Sequence, residues 1–220
     1  YGYRSSLNPA MVLHLQQKAK RLIHDHKINS IVDIGSNDGT FLNCFSAENR
    51  IGVDPSISCN EHDPGALHIG DFFPCEKTNR IESGSIDLVT AISMFYDLPD
   101  IQAFLTEVVR LLSENGVFHI ELSYVQMMYA NNSFDTICHE HLEYYSIKSL
   151  RNILALQGLR IAKIGFNQAN GGSLWMDISK SLPECPNVEF FILTEDALGV
   201  NNGNAFKKMM ARVDQLKEEA

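Results

Sequence analysis

The stretch NSFDTICHEHLEYYS, residues 132–146, concentrates side chains that titrate or form hydrogen bonds. Its chemically active members are His139, Glu140, His141, Tyr144 and Tyr145. A histidine side chain has an unperturbed pKa of about 6.5, so it is suited to proton transfer near neutral pH. Three interpretations are open: a metal site, a proton-transfer site, or a structural loop whose side chains bond to the backbone.

A metal site is the least favoured of the three interpretations. On an extended backbone His139 and His141 point to one side and Glu140 to the other. Two imidazoles are too few for a closed tetrahedral site. His119 and Glu121, on the fifth predicted strand before this stretch, could be recruited as further ligands, but nothing in their spacing requires it. We therefore predict no metal here.

A second candidate site follows the first predicted strand. Residues 29–45, NSIVDIGSNDGTFLNCF, are typical of a strand, a tight glycine-containing loop and a helix. Ligands of open α/β sheets bind beyond the carboxyl ends of the strands. Asp54 lies 21 residues after Asp33, at the end of the second predicted strand, where an acid can hold ribose hydroxyls.

The type of ligand follows from the charges of this loop. A dinucleotide needs helix N–H groups directed at its pyrophosphate, and Asp38 near the helix start would repel that group. S-adenosylmethionine carries no phosphate, and its sulfonium and ammonium groups suit nearby acids. We predict this cofactor, with the ring face of its adenine against Phe72. The predicted cofactor-binding residues are Asp33, Gly35, Asn37, Gly39, Asp54, Asp71 and Phe72. The alternative is a tight turn that binds no ligand.

The surrounding elements alternate between strands and helices. A helix is predicted from Asn8 to about Lys27, and DIQAFLTEVVRLLSENG, residues 100–116, predicts a second one that ends at Asn115-Gly116. RIAKIGFN and GSLWMDISK predict an antiparallel hairpin, and the last stretch, from Asn204 to Ala220, predicts one exposed helix. The pattern predicts an α/β fold with a doubly wound, Rossmann-like sheet and an antiparallel hairpin at one edge.

Composition excludes several classes of function for the 220-residue chain. Its net charge of −9 gives no basic surface for nucleic acid or for an anionic membrane. No apolar run approaches the roughly 20 residues that span a bilayer, and no signal peptide opens the chain. The five cysteines contain no C-x-x-C pair, which predicts a reducing, cytoplasmic location. The chain begins at Tyr1 without Met, and we interpret it as a possible fragment of a longer protein.

The order of these motifs resembles the class I S-adenosylmethionine-dependent methyltransferases. More narrowly, it resembles the sugar C-methyltransferase family, which acts on nucleotide-linked deoxysugars. The likeness rests on YGYRSS, VDIGSNDGTFL, FDTICHEHLEYYS and NGGSL, in that order from Tyr1 to about Lys180. Three features depart from the family: this chain has no N-terminal zinc module with paired cysteines, it stops where a C-terminal domain would begin, and Cys138 stands where some members have a tyrosine.

The resemblance implies a domain organisation and a reaction. Residues 30–181 are expected to form the methyltransferase domain, after an N-terminal arm and helix (1–29) and before a C-terminal extension that ends in a helix (182–220). Methylation of a carbon next to the ketone of a nucleotide-linked keto-sugar requires an enolate. We predict His141 as the base, His139 as the second choice and Glu140 as the assisting group. The predicted substrate-binding residues are Tyr3, Tyr144, Tyr145, Asn170 and Gly171.

Two alternatives remain open at this point. The same loop could serve an O- or N-methyltransferase of a small metabolite. The chain could also be a non-catalytic ligand-binding domain, in which residues 132–146, here named the H-E-H stretch, are structural.

Overall fold

Within residues 2–56 and 65–219, which the computed structural model describes, the fold is built on one seven-stranded sheet. Its strands are β1 Ser30–Ile34, β2 Asn49–Val53, β3 Leu67–Ile69, β4 Ile86–Ile92, β5 Leu112–Ser123, β6 Arg160–Asn167 and β7 Ser173–Ser179. They lie in the order β3-β2-β1-β4-β5-β7-β6. β1 pairs in parallel with β2 and β4, β2 pairs in parallel with β3, and β6 and β7 are antiparallel. This confirms the predicted doubly wound sheet with an antiparallel hairpin at one edge.

The helices alternate with these strands. They are α1 Pro9–Asp25, α2 Ile101–Leu111, α3 Val125–Asn131, α4 Ile147–Ala155, α5 Asn187–Leu198 and α6 Asn204–Glu219. Within the described ranges, no helix combines the length and the apolar character needed to cross a membrane. The described cysteines Cys44, Cys75, Cys138 and Cys185 are free thiols, and Cys59 lies outside the described residues.

The chain divides into two compact units, of which the first takes Tyr1–Ile92 and Gln102–His119. Its core forms where the apolar stripe of α1 packs against the sheet. Leu15, Ala19 and Leu22 are buried in one cluster with residues of β1 and β4, because positions four and three apart lie on one helix face. α1 begins where expected, since the Asn8 Oδ1 accepts hydrogen bonds from two N–H groups of the first turn.

The second unit comprises Ser93–Ile101 and Ile120–Ala220. One carboxylate connects several of its elements, because Glu195 of α5 is fully buried. It accepts hydrogen bonds from the Tyr124 hydroxyl at 2.8 Å and from the backbone N–H groups of Ile147 and Lys148 at 2.6 and 3.1 Å. A carboxylate is favourable at these first N–H groups of α4 because the helix dipole is positive there. The start of α4 is thereby fixed directly after the H-E-H stretch.

Several predicted boundaries were wrong. Instead of an α-helix, one 3-10 turn, Leu42–Cys44, follows the first glycine loop. α2 ends at Leu111 rather than at Asn115-Gly116, and β5 begins at Leu112. Both leucines are completely buried.

The C-terminal region was also described incompletely by the sequence. α6 is not simply exposed, because Ala205, Met209 and Val213 are buried at four-residue spacing. α3 and α5 were not predicted. α5 carries apolar residues on more than one face, and Phe190 and Leu193 remain exposed, so it lacks the single stripe by which an amphipathic helix is recognised.

Candidate active site

The loop after β1, residues Gly35–Gly39, is bound to the end of β2. The backbone N–H of Gly35 donates to the Val53 carbonyl at 2.8 Å. Asn37 adopts a left-handed conformation with φ 51°, and its N–H donates to the Asp54 Oδ2 at 2.8 Å. The Asp54 Oδ1 accepts from the Ser56 N–H at 2.7 Å. Asp54 is therefore held in place by the loop that it faces, and each of its oxygens retains a lone pair for a further donor.

Asp33 lies at the base of this loop and is buried. The Thr90 hydroxyl of β4 donates to its Oδ1 at 2.5 Å. Burial raises the pKa of Asp33 to about 7, because it outweighs the hydrogen bond from Thr90, which lowers the pKa; the charge of Asp54 adds a smaller increase. Asp33 therefore changes its charge near neutral pH, a property common among groups at functional sites.

The side chains of Asn37 and Asp38 point to the N-terminal segment. The Asn37 Oδ1 accepts from the Ser5 N–H at 3.0 Å, and its Nδ2 donates to the Tyr3 carbonyl at 2.9 Å. The Asp38 Oδ2 accepts from the Ser6 N–H at 2.8 Å. Burial would raise the pKa of Asp38, but hydrogen bonds from Ser6 and from Thr40 outweigh it and lower the pKa. The residues Tyr3–Ser6, here named the arm, are thus bound to the loop.

The loop after β3 contributes the two remaining predicted cofactor residues. The N–H groups of Asp54 and Asp71 both donate to the Ile69 carbonyl, at 3.0 and 2.9 Å, so one oxygen brings the two aspartates together. The Phe72 N–H donates to the Asp71 Oδ1 at 2.8 Å. Phe72 is 73% exposed, and its ring face is open to contact with a planar group.

The donor set of these loops fits S-adenosylmethionine better than a dinucleotide. The N–H groups of Gly35, Asn37 and Gly39 all donate within the protein, and a 3-10 turn replaces the helix whose N-terminus would bind a pyrophosphate. Acids dominate instead, which suits a ligand with two positive charges and a ribose diol. The loops thus match the phosphate-free cofactor that the sequence predicts.

His141 is the oriented member of the H-E-H stretch. Its Nδ1 lies 2.9 Å from the Thr136 carbonyl oxygen. A carbonyl only accepts, so Nδ1 carries the proton and Nε2 keeps its lone pair. Tyr144 reaches the same carbonyl with its hydroxyl at 3.3 Å and accepts from the Cys138 N–H at 3.3 Å. The structure therefore brings His141 and Tyr144 together around one backbone turn.

The turn after β4 supports this arrangement, and sequence reasoning had left its role open. The ring of Tyr96 lies 4.3 Å from that of His141 between centroids. The Tyr96 carbonyl accepts from the N–H groups of Leu142 and Glu143 at 3.0 and 3.1 Å. Tyr96 is buried, so it packs beneath the stretch. Its contact with His141 had no signal in the sequence beyond its place at a strand end.

Asp97 is a further titratable group that sequence reasoning missed. Partial desolvation raises its pKa to about 6, while the nearby His141 lowers the pKa and Glu140 raises it. It follows Tyr96 in the turn after β4, at the strand end where ligands of such sheets bind. This position at a strand end was the one feature of the sequence that could have indicated Asp97.

His139 and Glu140 are placed differently from His141. Their side chains are 90% and 67% exposed, and the His139 Nε2 lies 3.7 Å from the Glu140 Oε1. Tyr145 is buried against Phe95, with 5.7 Å between ring centroids, and burial raises its pKa to about 12. Of the two predicted tyrosines in the stretch, only Tyr144 lies beside His141.

The loop before β7 is held close to α3. The Asn170 Nδ2 donates to the Ser93 Oγ at 3.4 Å, and the Gly171 carbonyl accepts from the Asn131 side chain at 2.9 Å. Gly172 has φ 127°, and a Cβ there would lie 2.9 Å from the Cβ of Met127. This close contact requires glycine.

No group of three potential metal ligands in the described chain includes a residue of the H-E-H stretch. The two candidates for recruitment have protein partners. The Arg21 guanidinium donates to the His119 Nδ1 at 3.2 Å, and the Asn167 side chain donates to the Glu121 Oε2 at 2.6 Å.

Comparisons with known proteins agree on one class. The model of a family described as methyltransferase domain matches residues 11–164. C-methyltransferase NovU of Streptomyces niveus is 34% identical over 150 residues, which cover 66% of this chain and 36% of the relative. The chain thus spans about a third of the length of that curated relative.

Solved structures show the same fold at low identity. A putative methyltransferase in complex with the Trm112 methyltransferase activator of Haloferax volcanii aligns with a TM-score of 0.60 and 16% identity, over 78% of this chain and 94% of the other. Magnesium protoporphyrin IX methyltransferase of Synechocystis PCC 6803 with bound SAH aligns with a TM-score of 0.59 and 12% identity, over 79% and 88%.

Proposed function

The chain belongs to the family of methyltransferase domains, and from this premise we propose that it methylates a carbon next to the ketone of a nucleotide-linked keto-sugar. Membership confirms the predicted enzyme class and S-adenosylmethionine as its cofactor. Methylation at carbon is supported by the likeness to a C-methyltransferase. The sugar substrate is supported by the four motifs that resemble the sugar C-methyltransferase family.

The orientation of His141 carries the proposal. The Thr136 carbonyl holds the proton on Nδ1, which leaves Nε2 free to take a proton from carbon. The C–H bond then breaks, its electron pair moves to the ketone oxygen, and an enolate forms. S-adenosylmethionine supplies an electrophilic methyl group when it is bound. The enolate carbon would form its bond to that methyl group as the methyl–sulfur bond breaks, so that S-adenosylhomocysteine would leave and the ketone would be restored.

Other residues of the chain hold and stabilise the reactants. Tyr3, or Tyr144 once its single hydroxyl proton turns away from the Thr136 carbonyl, donates a hydrogen bond to the developing enolate oxygen, which favours the charged form. Asn170 and Gly171 contact the substrate, and the exposed Glu140 assists by holding it or by orienting an imidazole. Asp54 binds the ribose of the cofactor, and Asp33 faces its cationic part.

Proton exchange without the methyl donor tests the base directly. In heavy water, the protein with a keto-sugar nucleotide should exchange the proton next to the ketone. His141→Asn keeps hydrogen-bonding capacity but removes the basic nitrogen, so exchange should fall by about 10²–10⁴-fold. NMR of the nucleotide sugar measures the rate.

His139→Asn is the matched control, because it makes the same change two residues away at an exposed side chain. Exchange there should stay within about threefold of the wild-type rate, well short of the contribution of a positioned base. Normal exchange in His141→Asn, together with a large loss in His139→Asn or Glu140→Gln, would reassign the base. Absence of exchange in the intact protein with every keto-sugar nucleotide would contradict the substrate class.

A further inference from the structure

Asn37 connects two parts of the first unit through different atoms. Its backbone N–H donates to the Asp54 Oδ2 at 2.8 Å. Its side chain forms three hydrogen bonds to the arm: the Oδ1 accepts from the Ser5 N–H and from the Ser5 hydroxyl, and the Nδ2 donates to the Tyr3 carbonyl. One residue therefore touches both the acid expected to hold ribose and the segment that carries Tyr3.

The conformation of Asn37 makes this double contact specific. Its φ of 51° lies in the left-handed region, which asparagine tolerates better than most residues. In that conformation the N–H faces Asp54 while the side chain faces the arm. A neighbour strengthens the connection, because the Asp38 Oδ2 accepts from the Ser6 N–H at 2.8 Å.

We propose that Asn37 is a positioning residue that couples binding of the cofactor to docking of the arm. A ligand that holds Asp54 also holds the Asn37 backbone, and the Asn37 side chain then holds the arm more firmly. Coupling of this kind is reciprocal, so docking of the arm strengthens cofactor binding by the same factor. The inference rests on the proposed cofactor site and extends it, since Tyr3 is positioned for substrate only when the arm is docked.

Amide hydrogen exchange at Ser5 and Ser6 reads the coupling directly, because both N–H groups donate to the loop. Saturating S-adenosylhomocysteine should slow exchange at these two amides by about tenfold, within the usual range of coupling between sites. Asn37→Gly tolerates the positive φ and keeps the N–H to Asp54, but removes all three side-chain hydrogen bonds to the arm. In this variant the ligand-induced protection of the Ser5 amide should disappear, and the affinity for S-adenosylhomocysteine should fall by the same factor.

Asn132→Gly is the matched control, since Asn132 also has a positive φ of 57° and belongs to the second unit. It should leave affinity and the protection of both arm amides unchanged. Ligand binding to the wild-type protein without any protection of Ser5 and Ser6 would overturn the coupling while the proposed cofactor site stands. Failure of the wild-type protein to bind S-adenosylhomocysteine would overturn the proposed function and this inference with it.

Discussion

The loop Gly35–Gly39, which we propose binds the cofactor and name the cofactor loop, and the H-E-H stretch are held in place by opposite means. In and beside the cofactor loop, the buried carboxylates of Asp33, Asp38 and Asp54 accept hydrogen bonds from the backbone and hydroxyl groups around them. In the H-E-H stretch, backbone carbonyls of Thr136 and Tyr96 hold the chain, and two of the three adjacent titratable side chains are exposed.

This difference matches the role that we propose for each region. A binding loop gains affinity when its polar groups are already oriented, because little ordering remains to be done on binding. A histidine that takes a proton needs one ring nitrogen that is unprotonated at the operating pH. Of the three adjacent residues His139, Glu140 and His141, His141 bonds to the backbone, and it does so through Nδ1. Nε2 therefore remains for the proposed proton transfer.

The first prediction tests whether the buried acids of the cofactor loop are arranged for binding at a cost in stability. Asp33→Asn keeps the shape and the acceptor for Thr90 but removes the charge. At pH 8 the variant should be more stable than wild type by about 2–4 kcal/mol, since one pKa unit corresponds to about 1.4 kcal/mol. Urea denaturation measured between pH 4 and pH 8 checks this.

The sign follows from the raised pKa. The folded protein binds the Asp33 proton with a pKa of about 7, and the unfolded chain binds it with a pKa near 3.9. The stabilising contribution is complete below about pH 4, is lost as pH rises to about 7, and is constant above that. Asp33→Asn should lack this pH dependence. Thr90→Val should extend the loss of stability to higher pH, because the hydrogen bond that lowers the pKa of Asp33 is removed. Identical pH profiles of wild type and Asp33→Asn would contradict the raised pKa of Asp33.

A second prediction concerns Asp54, on the same side of the comparison. Asp54→Ala should weaken S-adenosylmethionine binding by about 1–3 kcal/mol, because a charged partner for the ribose hydroxyls is lost. Calorimetry measures this. Asp87→Ala removes an acid at the beginning of β4, which binds the Asn29 N–H, and should leave affinity unchanged. NAD binding of comparable strength in the wild-type protein would overturn the reading of the loop.

Much of the fold followed from local sequence patterns. β1 was recognisable from apolar β-branched residues directly before a glycine loop, and β6 and β7 were recognisable as two runs separated by glycines. The helix after the first glycine loop was wrongly predicted from the common order of elements. The Asp38 carboxylate accepts from the N–H and from the hydroxyl of Thr40, as a helix cap would, but only the 3-10 turn Leu42–Cys44 follows.

The candidate site was predictable in its parts but not in its contacts. The acids at strand ends and the H-E-H triplet were visible as residue types at particular positions. The contact of Tyr96 with His141 joins residues 45 positions apart, and no local pattern encodes it. The bonds from Asn37 to the arm were equally hidden, because side-chain hydrogen bonds to a distant backbone leave no periodic signal.

The last prediction addresses the H-E-H stretch and has the smallest expected effect. Tyr96→Leu removes the aromatic face beside His141 but leaves an apolar side chain and the backbone carbonyl that binds Leu142 and Glu143. An aromatic contact is worth about 0.5–1.5 kcal/mol, so proton exchange in heavy water should fall by roughly threefold to tenfold. Tyr96→Phe keeps the ring and should exchange at the wild-type rate. Equal losses in both variants would shift the role to the hydroxyl, and no loss in Tyr96→Leu would show that backbone bonds alone hold His141. If the loss occurs while affinity for S-adenosylhomocysteine is unchanged, the ring positions the base without touching the cofactor loop, and the two regions are held by separate means.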